Sequence, residues 1–515
     1  MVQDGKILIG MGEKPAYLLG SMANRHGIIA GASGTGKTTT LKVLAESFSM
    51  LGVPVFLCDV KGDLAATCKC GEPTDSIRKR LGKMGFSEFS LTDFPVEFWD
   101  VYGEGGHPLR ITISDMGPLL LSRLLGLTDA QEGILNIAFR VADDNGLLMI
   151  DLKDLKSMLK YVSDNRAELL GAYGNVTAQS VGAIQRKLLS LEDQGAHKLF
   201  GEPAIEIKDW MRTAQAGRGV INMLDCRKLF LNPDLYAAFL LWLMSSLFET
   251  MPEAGDCDKP KLVIFFDEAH LLFKDGNKEL NDKIERAVKL IRSKGIGLYF
   301  VTQNPSDLPD AVLAQLSNRI QHALRAYTPS EQKYLRAAAG AFRANPSFDT
   351  QEVLTQLGTG EAVISCLDEK GIPSIAEKAT IMPPQSRFGV LDEQERQRMI
   401  QSSPLYGIYE SEVDRVSANE TLTEREAEIE RLKEAERVAA QLEKERKEEE
   451  KLRQQAEKEM EKRRREEERR LAQEEREREK RLRPLRRAAD STLNTIGREL
   501  GRSIARGLFG TSRRR

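Results

Sequence analysis

The residues with the clearest chemical potential form the stretch GASGTGKT at positions 31–38. It satisfies the spacing G-x-x-x-x-G-K-[ST], whose glycines let backbone N–H groups curl around phosphate oxygens. An apolar run precedes the stretch and a helical pattern follows it, which is the context that a phosphate loop requires. We expect this loop to bind a nucleoside triphosphate with Mg²⁺, through Gly31, Ala32, Ser33, Gly34, Thr35, Gly36, Lys37, Thr38 and Thr39. In such a loop Lys37 reaches the β- and γ-phosphates and the Thr38 hydroxyl binds Mg²⁺.

A second motif places two carboxylates directly after an apolar run. The run is LVIFF at 262–266, and Asp267 and Glu268 follow it. Open α/β sheets bind ligands at the carboxyl ends of their strands. We therefore expect Asp267 to hold the Mg²⁺ shell and Glu268 to orient and deprotonate the attacking water. The alternative is an acidic loop after a core strand, and the upstream phosphate loop favours the catalytic interpretation.

Three further side chains are candidates for the same chemistry. Gln303 follows the apolar run 297–302 and either senses the γ-phosphate, positions water or caps the strand end. Arg292 precedes that run and Arg319 opens the next one. Phosphoryl transfer gains from a cation on the developing charge, often supplied by a neighbouring subunit, although each arginine could equally form a surface ion pair. The turn DVKGD at 59–63 opens on the same sheet edge and is either a contact of the Mg²⁺ shell or an ordinary turn.

The elements that must position these residues are short apolar runs bounded by Gly, Pro and Asp, alternating with helical patterns. This texture is typical of an α/β fold with a mostly parallel sheet covered by helices. The predicted strands lie at 27–30, 53–59, 220–224, 262–266, 297–302, 320–325 and 362–367. Between 111 and 215 apolar residues recur at helical spacing, which predicts a helical insertion into the α/β body.

The C-terminal part of the chain has a different composition. Residues 421–483 contain 21 basic and 21 acidic side chains, and Glu repeatedly precedes Lys or Arg by four positions, which stabilises a helix. Apolar residues are too sparse for a sustained coiled-coil seam, so we favour a solvated single helix of about 95 Å, ended by Pro484, over a coiled coil. Residues 484–515 hold eight basic and two acidic side chains and form a basic tail that either contacts phosphates or docks a partner.

Composition excludes several classes of protein. The 515 residues suffice for two or three domains, and residues 1–420 are mildly acidic, with 54 acidic and 46 basic side chains. The longest apolar run, around 236–248, is too short to span a membrane and predicts a buried helix. Asp4 stands where a signal peptide would carry positive charge, so we expect a cytoplasmic protein without a membrane span. The six scattered Cys support neither a disulfide framework nor a zinc site.

The ordered set of motifs resembles the HerA/FtsK superfamily of P-loop motor ATPases, and more narrowly the bacterial HerA-like helicase group. The resemblance covers about 1–385 and is carried by GASGTGKT at 31–38, DVKGD at 59–63, VIFFDEAH at 263–270, GLYFVTQNP at 297–305, Asn318-Arg319 and LGTGEA at 357–362. It implies a RecA-like core, hexameric rings with nucleotide at subunit interfaces, and ATP-driven movement along double-stranded DNA.

The same resemblance assigns roles to individual residues. It implies that Lys37 and Thr38 bind phosphate and Mg²⁺, that Asp267 and Glu268 perform hydrolysis and that Gln303 is the sensor. An arginine would act across or near the subunit interface. Only some 26 residues precede the first core strand, which leaves no room for the N-terminal barrel of HerA itself. The ring contacts and nuclease partnership of HerA therefore stay open for this chain.

These observations predict an Mg²⁺-dependent ATP hydrolase that moves on double-stranded DNA as a ring, most simply a homo-hexamer. Its expected segments are an ATPase core at 1–110 and 216–385, a helical insertion at 111–215, a linker at 386–420, a charged helix at 421–483 and a basic tail at 484–515. The helix and tail could dock a protein partner. One alternative is a related ATPase motor for conjugation or secretion, with DNA-indifferent hydrolysis. Another is a nucleotide-switched interaction protein with negligible turnover.

Overall fold

The computed structural model describes residues 1–255, 257–273 and 278–490. Met1–Glu424 form one compact unit, and a second unit begins at Arg425. Within the described residues thirteen strands form a single sheet: β1 (Val2–Gln3), β2 (Lys6–Met11), β3 (Pro15–Leu19), β4 (Gly27–Ala30), β5 (Val55–Asp59), β6 (Val96–Asp100), β7 (His107–Pro108), β8 (Ile221–Asp225), β9 (Leu262–Phe266), β10 (Ile296–Thr302), β11 (Asn318–Gln321), β12 (Glu361–Ser365) and β13 (Glu377–Ile381).

The α-helices of the described residues are numbered in the same way. They are α1 (Lys37–Met50), α2 (Asp75–Lys83), α3 (Ile113–Leu124), α4 (Asp129–Asp144), α5 (Leu152–Asp164), α6 (Arg166–Tyr173), α7 (Ala178–Asp193), α8 (Pro233–Thr250), α9 (Lys278–Ile291), α10 (Asp310–Leu313), α11 (Pro329–Gly340), α12 (Thr350–Gln356), α13 (Glu393–Ser402) and α14 (Ala418–Asp490).

The sheet is parallel at its centre and antiparallel at one side. Its strand order is β1-β2-β13-β12-β11-β4-β10-β9-β5-β8-β6-β7, with β3 paired to β2. The eight strands from β11 to β7 pair in parallel, and the other five join through antiparallel ladders. The central strands are continuously buried, as expected when helices cover both faces of a parallel sheet. The predicted α/β fold with a mostly parallel sheet is confirmed.

All seven predicted strands are present; β4 and β9 have their predicted bounds, and the other five have shifted ends. The largest shift is at β11, which runs from Asn318 to Gln321 rather than over 320–325. In the parallel region Ala30 pairs with Thr302, and Phe266 pairs with Phe300. The loops that follow β4, β9 and β10 therefore leave the sheet at the same edge, where the phosphate loop, the acidic pair and Gln303 were expected to meet.

The structure adds strands that the sequence patterns did not predict. β2 and β3 form an antiparallel hairpin before the phosphate loop, and its Ile7, Ile9 and Leu18 side chains are buried. The hairpin joins the main sheet because β2 pairs with β13, with Gly10 opposite Ile381. The expectation that the first strand starts near residue 27 is therefore wrong, since β1 to β3 precede it.

Helices α3 to α7 lie between β7 and β8 in the chain. Several begin with a side-chain cap, as at Thr112 and Asp151, whose oxygens accept backbone N–H bonds of the first turn. The apolar faces of these helices are buried in the same core cluster as one face of the sheet, for example at Leu155 and Ile184. The helical segment thus packs directly on the α/β body rather than forming a separate core.

Helix α8 contains the longest apolar run of the chain and is buried along most of its length, as predicted. Among the described residues, no helix is both long enough and apolar enough to cross a membrane.

The charged C-terminal segment is a single long helix, α14, from Ala418 to Asp490. It begins earlier than predicted and continues past Pro484, where the sequence predicts its end, so that prediction is wrong. Its first turns bury Ala418 and Leu422, and the larger apolar side chains further along, such as Leu442 and Leu452, are exposed. The predicted tail beyond residue 490 lies outside the described residues.

Candidate active site

The phosphate loop follows β4 and leads directly into α1. Gly36 adopts a left-handed backbone conformation (φ 111°) immediately before the first helical residue, Lys37. The Lys37 ammonium group donates hydrogen bonds to the carbonyl oxygens of Gly31 at 2.6 Å and Ala32 at 3.2 Å. These bonds fold the side chain back over the loop. The start of α1 adds the partial positive charge of a helix N-terminus, so the loop is arranged to receive an anion.

A buried histidine supports the loop from behind. His322 Nδ1 lies 2.9 Å from the carbonyl oxygen of Glu361, and its Nε2 lies 2.8 Å from the hydroxyl of Thr40. Burial lowers the pKa of His322 to about 4, so the ring is neutral and donates from Nδ1 while Nε2 accepts. A Cβ atom on Gly31 would come within 2.5 Å of the His322 Cβ, so a glycine is required for this close approach.

A second segment holds the loop from the other side. The N–H of Gly360 donates to the carbonyl oxygen of Thr35 at 2.9 Å. Gly360 belongs to the stretch LGTGEA that leads into β12, which explains why this stretch accompanies the phosphate loop in the motif set. The preceding Thr359 lines the same cleft as the loop.

The acidic pair lies where β9 ends. The backbone N–H of Glu268 donates to the Asp267 carboxylate at 2.9 Å, and the Tyr236 hydroxyl of α8 donates to the Asp267 carbonyl oxygen at 2.9 Å. Glu268 has a positive φ of 48°, a conformation that residues with a side chain rarely adopt. This sharp turn of the backbone allows two consecutive carboxylates to face one cleft instead of opposite faces of the sheet.

The electrostatics of the pair suit a bound cation. Burial, and then repulsion from Glu268, raise the pKa of Asp267 to about 6, against the smaller opposing effects of Lys61 and Lys37. Burial lowers the pKa of Lys37, which Glu268 and Asp267 partly offset. The buried Glu268 Oε2 has no hydrogen-bond partner among the described residues, and His270 Nδ1 is 3.4 Å away. The cleft therefore holds negative charge that the protein alone does not neutralise.

Thr38 and Asp267 fit an Mg²⁺ ion that arrives with a nucleotide. Both line the same cleft, and a hydroxyl and a carboxylate are the hard oxygen ligands that Mg²⁺ prefers. Across the described residues, no group of three or more His, Cys, Asp or Glu side chains is arranged to hold a metal ion. The Thr38 hydroxyl and the Asp267 carboxylate suit Mg²⁺, which takes one or two protein oxygens and completes its shell with phosphate and water.

The predicted residues meet in one cleft of about 270 Å³. Its lining includes Ser33, Gly34, Gly36, Lys37, Thr38, Thr39, Asp267, Glu268 and Gln303 from the predicted site. Gln303 follows the last residue of β10 and is exposed towards the cleft. The other loop residues, Gly31, Ala32 and Thr35, do not line the cleft. Their backbone carbonyl oxygens accept hydrogen bonds that hold the loop in its conformation.

The DVKGD turn also reaches the cleft, but through its later residues. The Asp59 carboxylate accepts the backbone N–H groups of Gly62 at 2.7 Å and Leu64 at 3.1 Å, so it shapes the turn itself. Lys61 and Asp63 line the cleft opposite the phosphate loop. The turn thus adds one cation and one carboxylate to the site.

Both candidate arginines lie away from the cleft of their own chain. Arg292 is in a short 3₁₀ turn before β10, and Arg319 is in β11, opposite Ile28 of β4. Arg319 donates to the carbonyl oxygen of Leu313 at 3.0 Å, and burial lowers its pKa. Both positions are near the amino ends of parallel strands, whereas the cleft is at the carboxyl ends. Either arginine would have to act on a nucleotide bound by another subunit.

Two residues near the loop escaped the sequence analysis. His322 comes after β11, and Phe388 follows the last strand. Each is distant in sequence from the phosphate loop, and only the folding of β11 to β13 beside β4 brings them to it. A histidine or phenylalanine at an isolated position carries no local signal, whereas Thr359, which also lines the cleft, was part of the motif LGTGEA.

Comparisons with known proteins show the family of this chain. The model of the helicase HerA-like C-terminal family matches residues 5–515. The DNA double-strand break repair helicase HerA of Sulfurisphaera tokodaii is 26% identical over 352 residues, which are 66% of this chain and 62% of that protein. HerA of Saccharolobus solfataricus is 25% identical over 377 residues, covering 70% of this chain and 66% of that protein. The chain thus spans slightly less than two thirds of the length of these relatives.

A solved structure, the plasmid coupling protein TrwB with the GTP analogue GDPNP, superposes with a TM-score of 0.49 at 14% identity, covering 76% of this chain and 92% of that one. The family match extends over almost the whole chain. The chain belongs to the helicase HerA-like C-terminal family.

Proposed function

We propose that the protein is an Mg²⁺-dependent ATPase that uses hydrolysis to move along double-stranded DNA as a ring of identical subunits. The observation that carries the chemical half is the single cleft in which Lys37 and Thr38 face Asp267 and Glu268. Family membership supports the mechanical half, because the relatives that match are named as DNA double-strand break repair helicases.

In this proposal each side chain has a defined task. The backbone N–H groups of the phosphate loop and the Lys37 ammonium group bind the phosphates, after Lys37 releases the carbonyl oxygens that it contacts now. Glu268 orients the attacking water and accepts its proton through the oxygen that has no partner. Gln303 contacts the γ-phosphate or the water. Mg²⁺, held by Thr38 and Asp267, would neutralise charge on the phosphate oxygens.

The ring and its substrate are the less direct half of the proposal. An arginine at position 292 or 319 would complete the site of a neighbouring subunit, most simply in a homo-hexamer, by stabilising charge on the transferred phosphoryl group. Residues 1–420 carry 54 acidic and 46 basic side chains, so DNA would have to contact a locally basic inner surface of the ring. Work on cellular DNA would take place in the cytoplasm.

One assay tests both halves. ATP hydrolysis is measured with Mg²⁺, with and without double-stranded DNA, on fractions from a sizing column. We expect activity to coincide with a ring-sized oligomer and to rise with DNA, and Lys37→Ala to abolish turnover in the same fractions. Hydrolysis that ignores DNA would favour a motor for another polymer, whereas tight ATP binding without turnover would indicate a nucleotide switch.

A further inference from the structure

A short segment that follows the last strand contributes Phe388 to the lining of the cleft. This segment, residues 385–389, is hydrogen-bonded to the chain within residues 63–71 on both sides of Phe388. The N–H of Arg387 donates to the carbonyl oxygen of Lys69 at 2.9 Å, and the N–H of Gly389 donates to that of Asp63 at 3.0 Å. The backbone on either side of Phe388 is therefore fixed, and the ring is presented from a rigid support.

A buried ion pair in α1 holds the same segment from below. Glu46, which is fully buried, accepts the backbone N–H groups of Gln385 at 2.7 Å and Ser386 at 3.2 Å. Lys42 lies 3.8 Å from Glu46 and donates to the carbonyl oxygen of Arg387 at 2.9 Å. Helix α1 thus connects two parts of the site: the phosphate loop leads into its first residue, and Lys42 and Glu46 further along it hold the 385–389 segment.

The ring of Phe388 has one occupied face and an unusual exposure. The Lys42 ammonium group lies 4.9 Å from the ring centroid and covers one face. The residue is nevertheless 41% exposed, although it stands on a fixed backbone and lines the cleft beside the phosphate loop. A phenylalanine whose role is only to fill the core would be buried on both faces.

We propose that Phe388 stacks against the base of the bound nucleotide and makes the cleft a site for purine nucleotides. The remaining described lining residues are charged, polar or aliphatic, with Lys37, Lys61, Asp267 and Glu268 suited to phosphates and Mg²⁺. The base is the part of a nucleotide that offers a flat π face, and purines offer a larger one than pyrimidines. Stacking of a base on an aromatic ring contributes substantially to the binding free energy, so we expect Phe388 to hold the base.

This inference rests on the proposed ATPase function, and the experiment separates the two. Binding of a non-hydrolysable ATP analogue and of inorganic triphosphate, each with Mg²⁺, is measured by calorimetry for the wild type, Phe388→Ala and Phe388→Trp. We expect Phe388→Ala to bind the analogue about tenfold more weakly, equivalent to about 1.4 kcal/mol, and inorganic triphosphate unchanged. Phe388→Trp should restore the affinity, and its fluorescence should change when the analogue binds.

The matched control is Tyr327→Ala, which removes an aromatic ring that is 81% exposed and outside the cleft lining. This variant should bind both ligands as the wild type does. Unchanged affinity of Phe388→Ala for the ATP analogue would overturn the stacking role, and so would an equal loss for both ligands, which would indicate a displaced segment. A wild type that binds neither ligand would overturn the ATPase proposal itself and this inference with it.

Discussion

Asp267 holds a negative charge at a place where its surroundings oppose that charge. Its pKa is raised from 3.8 to about 6, first by burial and then by Glu268. A carboxyl group with a raised native pKa loses stability for the fold as the pH rises from its unfolded pKa through its native pKa. A shift of this size corresponds to about 3 kcal/mol at full ionisation. The nucleotide-free protein is thus less stable at neutral pH because of the carboxylate that we propose holds Mg²⁺.

We therefore predict that Asp267→Asn stabilises the nucleotide-free protein, by up to about 3 kcal/mol at pH 8 and about half as much at pH 5. Urea unfolding at the two pH values measures the difference. The control is Asp258→Asn, at an exposed position, which should change little at either pH. An Asp267→Asn gain that is the same at pH 5 and pH 8 would contradict the assigned burial cost.

Glu268 combines a left-handed backbone with a buried carboxylate oxygen that accepts no hydrogen bond from the described residues. Strain and unsatisfied polar groups collect where a residue is held for a reaction rather than for stability. We predict that Glu268→Gln keeps ATP affinity and lowers kcat by at least about 100-fold, the usual contribution of a general base. Phosphate release under single-turnover conditions measures it. Glu88→Gln, on the surface, is the control, and full hydrolysis by Glu268→Gln would show that another group is the base.

At the residue scale, the sequence predicted the residues that line the cleft wherever a short motif marks them. Lys37, Asp267 and Glu268 were predicted because each stands in a short motif beside an apolar strand. His322 and Phe388 could not be predicted, since their roles depend on strands that pair only in the folded sheet. The position of Arg319 at the start of a strand was predicted, but the place of that strand next to β4 was not, because local periodicity does not encode strand order.

At the element scale, the ion pairs along the long helix α14 lead to a prediction about its stability. Beyond residue 425 its large apolar side chains, such as Leu442 and Leu452, are exposed, and opposite charges pair one turn apart, as in Glu443–Lys447 at 2.7 Å and Glu461–Arg465 at 2.8 Å. We predict that a peptide of residues 425–482 is helical and monomeric at low salt, and that its helicity falls in 1 M NaCl because salt screens the pairs. Circular dichroism and sedimentation over a range of concentrations measure both properties.

A coiled coil would give the opposite result. Its helicity would rise with peptide concentration, and salt would affect it less, because a buried apolar seam rather than surface charge would stabilise it. A peptide with Glu443 and Glu461 both changed to Gln is the matched variant, and it should lose helicity at low salt only.

The same scale shows why some strands were predictable and others were not. β4, β9 and β10 are short, wholly apolar runs at the centre of the parallel sheet, and both of their faces are buried. β3 and β13, with the sequences PAYLL and EKATI, lie in the antiparallel part, and each has buried residues between exposed or half-buried ones. In a strand of five residues that alternation is too brief to be distinguished from a loop.

At the scale of the whole molecule, the distance of the arginines from their own cleft leads to a prediction about mixed subunits. If Arg319 acts on the nucleotide of a neighbouring subunit, Arg319→Ala and Glu268→Gln each inactivate a uniform ring. A mixed ring contains some interfaces that join an intact Glu268 to an intact Arg319. We predict that mixing the two inactive proteins restores part of the ATP hydrolysis.

The measurement is steady-state phosphate release after the subunits have been mixed and allowed to exchange. Mixing Lys37→Ala with Glu268→Gln is the control, since both changes are in the cleft of one chain and no interface gains a complete site. Activity that stays absent in the first mixture would show that Arg319 acts within its own subunit or has no catalytic role. The same design applies to Arg292.

The pairing of β2 with β13 also determines when this molecule can finish folding during its synthesis. The first strand partner ends at Met11, and the second begins at Glu377, so one edge of the sheet waits for some 366 residues to leave the ribosome. At ordinary elongation rates that interval is roughly 20 to 75 s. Throughout it the nascent hairpin has an unpaired edge and uncovered apolar side chains. Chaperones that bind nascent chains would therefore contact this protein at residues 1–20.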